Sequence, residues 1–239
     1  PVHVYGNVCN VEEIQRIADK YNLKVIYDAA HAFGVTYKGK GIGNYGDASI
    51  FSFHATKVFN TIEGGAVTFS DHKMYEKLYN LKNFGIRGEE LVTSVGANAK
   101  MNEFCAIMGL CNLKHLDEAL KNRQERYEHY RKGLEKVKGI RFFKMNKYAT
   151  NNFAYFPIVI EDDYRITRDE LYGKFHENNI YARKYFYPIT ADQACFRNKY
   201  KNADLFRARE LAKSVLILPF YESLQFENID RIIEKIKMY

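Results

Sequence analysis

The stretch that decides the fold is Asp47-Ala-Ser-Ile-Phe-Ser-Phe-His-Ala-Thr-Lys-Val-Phe-Asn-Thr-Ile-Glu-Gly-Gly-Ala66. It opens with an apolar strand, predicted over 48–53, that leads into a polar turn carrying a single lysine, Lys57. A Gly-Gly step follows, and a second strand is predicted over 66–69. A strand that ends in polar residues is typical of α/β proteins, whose sites lie at the carboxyl ends of their strands.

Another strand is predicted upstream, over 23–28, and it ends in an acid, Asp28. A helix precedes it, with Asn10 as its expected N-cap and Glu13 three residues later. A strand, a helix and a strand in succession predict a parallel sheet. Because the carboxyl ends of neighbouring parallel strands meet at one edge, we expect Asp28 and Lys57 to lie close together.

An acid and a lysine at one sheet edge are what pyridoxal phosphate requires. A lysine amine forms a Schiff base with this cofactor, and an acid keeps its pyridinium nitrogen protonated so that the ring can accept electrons. Each residue also has a plainer interpretation. Asp28 could cap the turn after its strand, and Lys57 could be one of many surface lysines.

The composition sets the broad class of protein. The chain has 239 residues, of which 46% are apolar and 27% charged, as in globular domains with a core. No apolar run approaches the ~20 residues of a membrane span, so no membrane association is expected. The net charge is +7, but basic and acidic residues are interleaved, which argues against nucleic acid as a partner. The four cysteines lack the spacing of metal ligands, so no metal site is predicted: Cys9, Cys105, Cys111 and Cys195. They are expected to be free thiols in a cytoplasmic protein.

Two domains are expected, residues 1–134 and residues 135–239. The glycine-rich residues 38–46 match no phosphate-binding fingerprint and are predicted to form a hairpin. Residues 86–101 lack periodicity and are predicted to be a loop. A long helix, predicted over 117–137, precedes a change to alternating short strands and helices, which is typical of a small α+β domain. In that domain, Thr167 and Glu170 are predicted to form a capping box that opens a helix.

Taken together, these motifs resemble the sugar-nucleotide aminotransferases of the DegT/DnrJ/EryC1/StrS family, which are fold-type-I pyridoxal phosphate enzymes. The matching residues follow the family's order along the whole chain: Pro1-Val-His-Val-Tyr-Gly-Asn7, Asp28-Ala-Ala-His31, Gly46-Asp47, Phe51-Ser-Phe-His-Ala-Thr-Lys57, Glu63-Gly-Gly-Ala66, Gly96, Asn98, Met101, Leu116-Asp117, Tyr187-Pro188 and Leu218-Pro219. The resemblance implies an α/β fold of the pyridoxal phosphate transferase type I. The chain would contain part of the large domain, with a mainly parallel sheet, and the small C-terminal α+β domain.

The resemblance also implies residue roles. Lys57 would be the Schiff-base lysine and proton carrier, and Asp28 would pair with the pyridine nitrogen. His31 would hydrogen-bond the phenolic oxygen of the cofactor, where the family often has Gln; its plainer interpretation is a helix-start histidine without a ligand. Ser52 would donate to the cofactor phosphate, or else bond to backbone in the core. Asn98 would reach the phosphate in the partner subunit, or else be a turn asparagine.

Substrate contacts are expected from His54 and from a second group of residues, Arg183, Lys184 and Tyr185; on an extended segment such charges are also commonly exposed to solvent. The resemblance implies a homodimer with shared active sites. It implies transfer of an amino group from glutamate to a keto sugar nucleotide, such as a dTDP-4-keto-6-deoxyhexose, for polysaccharide or deoxyaminosugar biosynthesis. Some relatives are dehydratases with His in place of the lysine, so Lys57 favours amino transfer.

A buried strand is expected over 2–5, and family enzymes begin their large domain well before it. We therefore expect residues 1–239 to lack a front portion that supplies a phosphate loop and further strands. The alternative hypothesis is a non-catalytic truncated fragment or pseudoenzyme that folds and dimerises without turnover. A basic nucleic-acid-binding protein is a distant third.

Overall fold

The computed structural model describes residues 1–200 and 202–239, apart from the side chain of Arg197. Its contacts divide the chain into two compact units. Unit 1 comprises residues 1–120 and 145–154, and unit 2 comprises residues 121–144 and 155–239. This division differs from the boundary expected at residue 134.

The difference has a physical cause in the segment 145–154. A side chain of this segment bonds to the first part of unit 1: the hydroxyl of Thr150 accepts from the backbone N–H of Thr36 at 2.8 Å. The backbone of the segment also bonds there, because the carbonyl of Tyr148 accepts from the backbone N–H of Lys38 at 2.8 Å. Such contacts between distant parts of the chain leave no periodic pattern in the sequence.

Unit 1 contains both short strands and helices. Its strands are β1 (Ile26–Asp28), β2 (Thr36–Tyr37), β3 (Lys40–Gly41), β4 (Ala48–Ser52), β5 (Gly65–Phe69), β6 (Ile86–Gly88) and β7 (Leu91–Val92). Its helices are α1 (Val11–Tyr21), α2 (Lys73–Lys82), α3 (Glu103–Leu113) and the start of α4 (Leu116–Leu134).

The central sheet of unit 1 has the order β1-β4-β5. Strands β1 and β4 are parallel, with Asp28 beside Ile50, whereas β4 and β5 are antiparallel, with Ile50 beside Val67. Val2 extends the parallel part through a single bridge to Asp28. The parallel pairing of β1 with β4, and the parallel bridge that joins Val2 before α1 to Asp28 after it, agree with the parallel topology expected for this part of the chain.

Local signals in the sequence account for α1. The side chain of Asn10 accepts from the backbone N–H of Glu13 at 3.3 Å, as the capping pattern predicts. The helix ends at Asn22, which adopts the left-handed conformation with φ of 51°. The hairpin predicted in 38–46 is present in its first part, because β2 and β3 pair antiparallel around Lys38 and Gly39, whereas Ile42–Asn44 form a 3₁₀ turn.

Two local predictions were wrong. A strand was expected over 2–5, but Val4–Gly6 forms a 3₁₀ turn, in which Gly6 takes a positive φ of 85° that favours glycine. A loop was expected over 86–101, but β6 and β7 form a short antiparallel hairpin there. It is exposed on both faces, so it lacks the apolar alternation that identifies a strand.

Unit 2 is built on an antiparallel sheet in the order β10-β9-β8. Its strands are β8 (Ile140–Phe142), β9 (Phe156–Ile160) and β10 (Val215–Leu218), and its helices after α4 are α5 (Arg168–Glu177), α6 (Arg197–Tyr200), α7 (Phe206–Ser214) and α8 (Phe226–Met238). Thr167 and Glu170 form the predicted capping box at the start of α5. The core includes one face of α8, where the isoleucines at helical spacing are buried: Ile229, Ile232, Ile233 and Ile236.

Candidate functional site

Asp28 lies at the carboxyl end of β1, next to β4. Ala29, which follows it, donates its N–H to the carbonyl of Ile50 at 2.8 Å, so the two strands end at the same edge. The Asp28 side chain is exposed, and its Oδ1 accepts from the backbone N–H of Ala30 at 3.0 Å. The carboxylate therefore does cap its own turn, and the same bond fixes its orientation at the sheet edge.

Lys57 lies in the turn that follows β4. Its backbone N–H donates to the carbonyl of His54 at 2.9 Å, which closes the turn. The side chain is half-buried. Burial lowers the pKa of the Lys57 amine below its usual value, and the Asp28 carboxylate opposes this shift. A lysine with a lowered pKa is more readily present as the neutral amine that acts as a nucleophile.

His31 follows β1 by three residues and is held by Tyr5. The backbone N–H of Tyr5 donates to Nδ1 of His31 at 3.1 Å, and the two rings are nearly parallel, with centroids 6.4 Å apart. Burial, together with the nearby Lys57 cation, lowers the pKa of His31 to about 4, and the Asp28 carboxylate opposes this shift. His31 is therefore neutral at pH 7, and because Nδ1 accepts a hydrogen bond, the proton of the ring lies on Nε2.

The structure thus brings three predicted residues together. Asp28 and Lys57 both act electrostatically on His31, and Asp28 acts on Lys57. The result is an acid, an amine and a neutral imidazole donor at one sheet edge.

Ser52 lies at the same edge, as the last residue of β4. Its hydroxyl accepts from the backbone N–H of His54 at 3.4 Å. A hydroxyl that accepts one backbone bond retains its own proton for donation. Ser52 therefore keeps the chemistry that its predicted role requires.

His54 is engaged within the loop itself. Its Nδ1 lies 2.9 Å from the hydroxyl of Thr56 and accepts from the Thr56 backbone N–H at 3.3 Å. Its Nε2 lies 3.6 Å from the carboxylate of Glu63. These contacts shape the turn that presents Lys57, so His54 has a structural role besides the substrate contact predicted for it.

Helix α3 supports the other end of this loop, which the sequence did not indicate. The amide of Asn112 donates to the carbonyl of Asn60 at 2.9 Å. Thr61 is buried, and its backbone N–H donates to the carbonyl of Phe53 at 2.9 Å. Its hydroxyl donates to the backbone carbonyl of Glu63 at 2.7 Å. No local motif could have revealed the bond between Asn112 and Asn60, because these residues lie on separate segments.

Asn98 lies on the segment between β7 and α3. It pairs with Asn83 through an isolated bridge, and its side-chain oxygen accepts from Lys100 at 2.7 Å. Its side chain is exposed. These contacts do not join Asn98 to the group at the sheet edge, so its predicted role stays a prediction.

The second predicted substrate group lies in unit 2. Arg183 pairs through its backbone with Ile217 and donates from Nη1 to the hydroxyl of Tyr185 at 2.8 Å. Lys184 forms an ion pair with Asp169 at 2.5 Å and lies over the ring of Tyr172. Arg183 is exposed and Lys184 is half-buried, so their predicted contact with substrate stays a prediction.

The described residues contain neither a metal-binding cluster nor a membrane-spanning helix. Over 1–200 and 202–239, no cluster of three or more His, Cys, Asp or Glu side chains is arranged to hold a metal ion. Within the same ranges, every helix is too short or too polar to cross a membrane.

The model of the DegT/DnrJ/EryC1/StrS aminotransferase family matches residues 1–237, so this chain belongs to that family. Two relatives are called dTDP-4-amino-4,6-dideoxy-D-glucose transaminase. The one from Shigella dysenteriae is 44% identical over 99% of this chain, and the one from Escherichia coli is 41% identical over 97%. The chain spans 65% and 63% of the lengths of these two proteins.

Solved structures place the fold in the same group. The structure of DesI with its TDP-sugar product superposes with a TM-score of 0.92 at 31% identity, over 99% of this chain and 60% of DesI. PseC of Helicobacter pylori, an aminotransferase of pseudaminic acid biosynthesis, superposes with a TM-score of 0.89 at 25% identity, over 98% of this chain and 64% of PseC. The expected α/β fold of the type I pyridoxal phosphate transferases is confirmed.

Proposed function

We propose that this protein is a pyridoxal phosphate-dependent aminotransferase that transfers an amino group from glutamate to a keto sugar nucleotide. The observation that carries the proposal is the convergence of Asp28, His31 and Lys57 at one sheet edge. When bound, pyridoxal phosphate supplies an electron sink that a substrate carbon needs in order to exchange its amino group.

The residues at this edge fit that cofactor in chemistry. Lys57 provides an amine whose pKa is lowered by burial, which suits both attachment to the cofactor and proton transfer. Asp28 provides a carboxylate for the pyridine nitrogen. His31 provides a neutral Nε2–H donor for the phenolic oxygen, and Ser52 provides a hydroxyl for the phosphate.

The substrate class rests on the relatives. Both transaminases described above, at 44% and 41% identity, are named for a dTDP-linked 4-amino-4,6-dideoxyglucose. We therefore infer a dTDP-4-keto-6-deoxyhexose as substrate, with a role in polysaccharide or deoxyaminosugar biosynthesis. Arg183 and Lys184 are cations that suit a nucleotide diphosphate.

Attachment of the cofactor is tested by titrating the purified protein with pyridoxal 5′-phosphate, reducing it with borohydride and mapping the modified peptide. The expected result is a new absorbance band and a label on Lys57 that is absent from Lys57→Ala. Lys40→Ala, which changes another lysine of unit 1, should keep both. A label spread over surface lysines, unchanged by Lys57→Ala, would contradict the proposal and favour a non-catalytic protein.

The reaction is tested by following conversion of glutamate to 2-oxoglutarate with keto sugars linked to dTDP, GDP or UDP. The dTDP-4-keto-6-deoxy sugar should support turnover in the wild type and not in Lys57→Ala. Equal turnover in Lys57→Ala would rule out the assigned lysine. Preference for another nucleotide would overturn the substrate and leave the reaction type in place.

We further propose a homodimer in which Asn98 reaches the cofactor phosphate of the partner subunit. Mixing Lys57→Ala with Asn98→Ala subunits tests this directly, since each hybrid dimer then holds one complete site. If both variants are inactive alone, an equal mixture should recover about a quarter of wild-type activity. No recovery after confirmed subunit exchange would show that Asn98 does not act across the dimer.

A further inference from the structure

Asn152 has a buried side-chain amide whose hydrogen bonds all lie within unit 1. The side chain is 1% exposed. Its Nδ2 donates to the carbonyl of His31 at 2.8 Å and to the carbonyl of Phe33 at 2.9 Å. Its Oδ1 accepts from the backbone N–H of Ala154 at 3.2 Å. The amide therefore spans the turn that carries His31.

The same amide packs against the turn that carries Tyr5. A Cβ placed on Gly6 would lie 2.5 Å from Oδ1 of Asn152 and 3.0 Å from the carbonyl oxygen of His31. Gly6 follows Tyr5, whose N–H donates to Nδ1 of His31. Asn152 thus contacts the backbone of His31 on one side and the residue adjacent to Tyr5 on the other.

We propose that Asn152 is a positioning residue for His31. By bridging the His31 turn and the Gly6 backbone, it sets the distance at which the Tyr5 N–H meets Nδ1, and so keeps the ring proton on Nε2. The role of that Nε2–H toward the cofactor rests on the proposed function, whereas the link between Asn152 and the ring does not.

Only asparagine meets these requirements among residues of similar shape. Aspartate would place a carboxylate against two carbonyl oxygens with no hydrogen to donate. Alanine would remove this donor from both carbonyls in a buried place, which destabilises the turn that carries His31. Glutamine is one methylene longer, and the close approach at Gly6 leaves no room for it.

The test is ¹⁵N NMR of the histidine-labelled protein at neutral pH, with His31 assigned through His31→Gln. In the wild type, His31 Nδ1 should give the signal of an unprotonated acceptor nitrogen. In Asn152→Ala this signal should be lost and replaced by the average of two tautomers. The neighbouring variant Asn151→Ala removes an amide whose oxygen accepts from Phe153 at 2.7 Å, and it should keep the wild-type signal.

Retention of the wild-type tautomer in a folded Asn152→Ala protein would overturn the proposal. The signal of His129, which pairs with Asp230 in unit 2, reports whether that unit is folded, and the remaining unit 1 histidines report on unit 1. Should Asn152→Ala fail to fold, Asn152→Ser keeps one donor, and its tautomer balance should lie between those of wild type and free histidine; a wild-type balance in Asn152→Ser would count against the proposal. Because no cofactor is added, the tautomer result stands apart from cofactor binding, which is measured separately by absorbance.

Discussion

The side-chain amide of Asn112 donates to the carbonyl of Asn60 at 2.9 Å, and this bond joins helix α3 to the loop that follows Lys57. We predict that Asn112→Ala lowers the free energy of unfolding by about 1 kcal/mol, the typical worth of one such bond. Backbone amides of residues 59–64 should also exchange faster with deuterium. Lys114→Ala, which changes an exposed side chain just after α3, should leave both unchanged. Equal exchange in the two variants would show that the loop does not depend on this bond.

Lys57 should react with amine reagents at a lower pH than an ordinary lysine, because burial lowers the pKa of its amine. Competitive labelling followed by mass spectrometry gives the pH midpoint of its reactivity. Lys24 is the internal comparison, since its hydrogen bond to Asp47 raises the pKa of that amine. Asp28 raises the pKa of Lys57, so Asp28→Asn should move the Lys57 midpoint lower still. An unchanged midpoint in Asp28→Asn would mean that the two groups do not interact.

His3 should make the stability of the protein depend on pH. The side chain is 0% exposed, its ring stacks on Tyr27 at 4.7 Å, and its Nδ1 accepts from the backbone N–H of Cys9 at 3.1 Å. Chiefly through burial, the pKa of His3 is lowered to about 4 in the folded state, against about 6.5 unfolded.

Between pH 4 and pH 6.5 the unfolded state therefore binds more protons than the folded state. The contribution of the neutral His3 to the free energy of unfolding is complete above pH 6.5 and is lost as the pH falls toward 4. Between about pH 7.5 and about pH 5, His3 should account for a loss of about 2 kcal/mol in the free energy of unfolding. Urea denaturation at several pH values measures this. His3→Gln should show a shallower dependence, whereas exposed His72→Gln should match the wild type.

Two helical glycines should respond in opposite directions to alanine. A Cβ on Gly109 in α3 would lie 2.8 Å from the side chain of Thr61, so Gly109→Ala should overpack the support of the loop and cost about 1–3 kcal/mol. Gly173 in α5 has no atom within 4 Å of such a Cβ. Gly173→Ala should therefore stabilise the protein by about 0.5–1 kcal/mol through helix propensity. Thermal unfolding of the two variants measures both, and a gain in Gly109→Ala would contradict the close contact.

The sequence predicted the part of the site that depends on strand ends. Asp28 and Lys57 follow apolar strands, and parallel pairing of those strands is enough to bring them to one edge. What the sequence could not reveal is how His31 is held. Tyr5 lies in a segment that was expected to be a strand. Asn152 lies within residues 135–239, which were expected to form the other domain. Such bonds arise from tertiary packing, which leaves no local pattern.

The capping signals illustrate the same distinction within the fold. Asn10 and Thr167 were predicted from three-residue spacing and both form the expected bonds, because a cap depends only on adjacent residues. The hairpin of β6 and β7 was missed since both strands are exposed, and exposed strands carry no apolar alternation.

Unit 1 is assembled from two separate stretches of chain, 1–120 and 145–154. During synthesis, the turn that carries His31 emerges well before Asn152, the residue that bridges it. The helices and hairpins of the first stretch rest on near neighbours and can form early, whereas closing the Asn152 bridge requires ordering a long intervening segment. We therefore expect the His31 turn to mature late in folding, after the local elements of unit 1, so that the sheet edge becomes competent only once the chain has been made through residue 154.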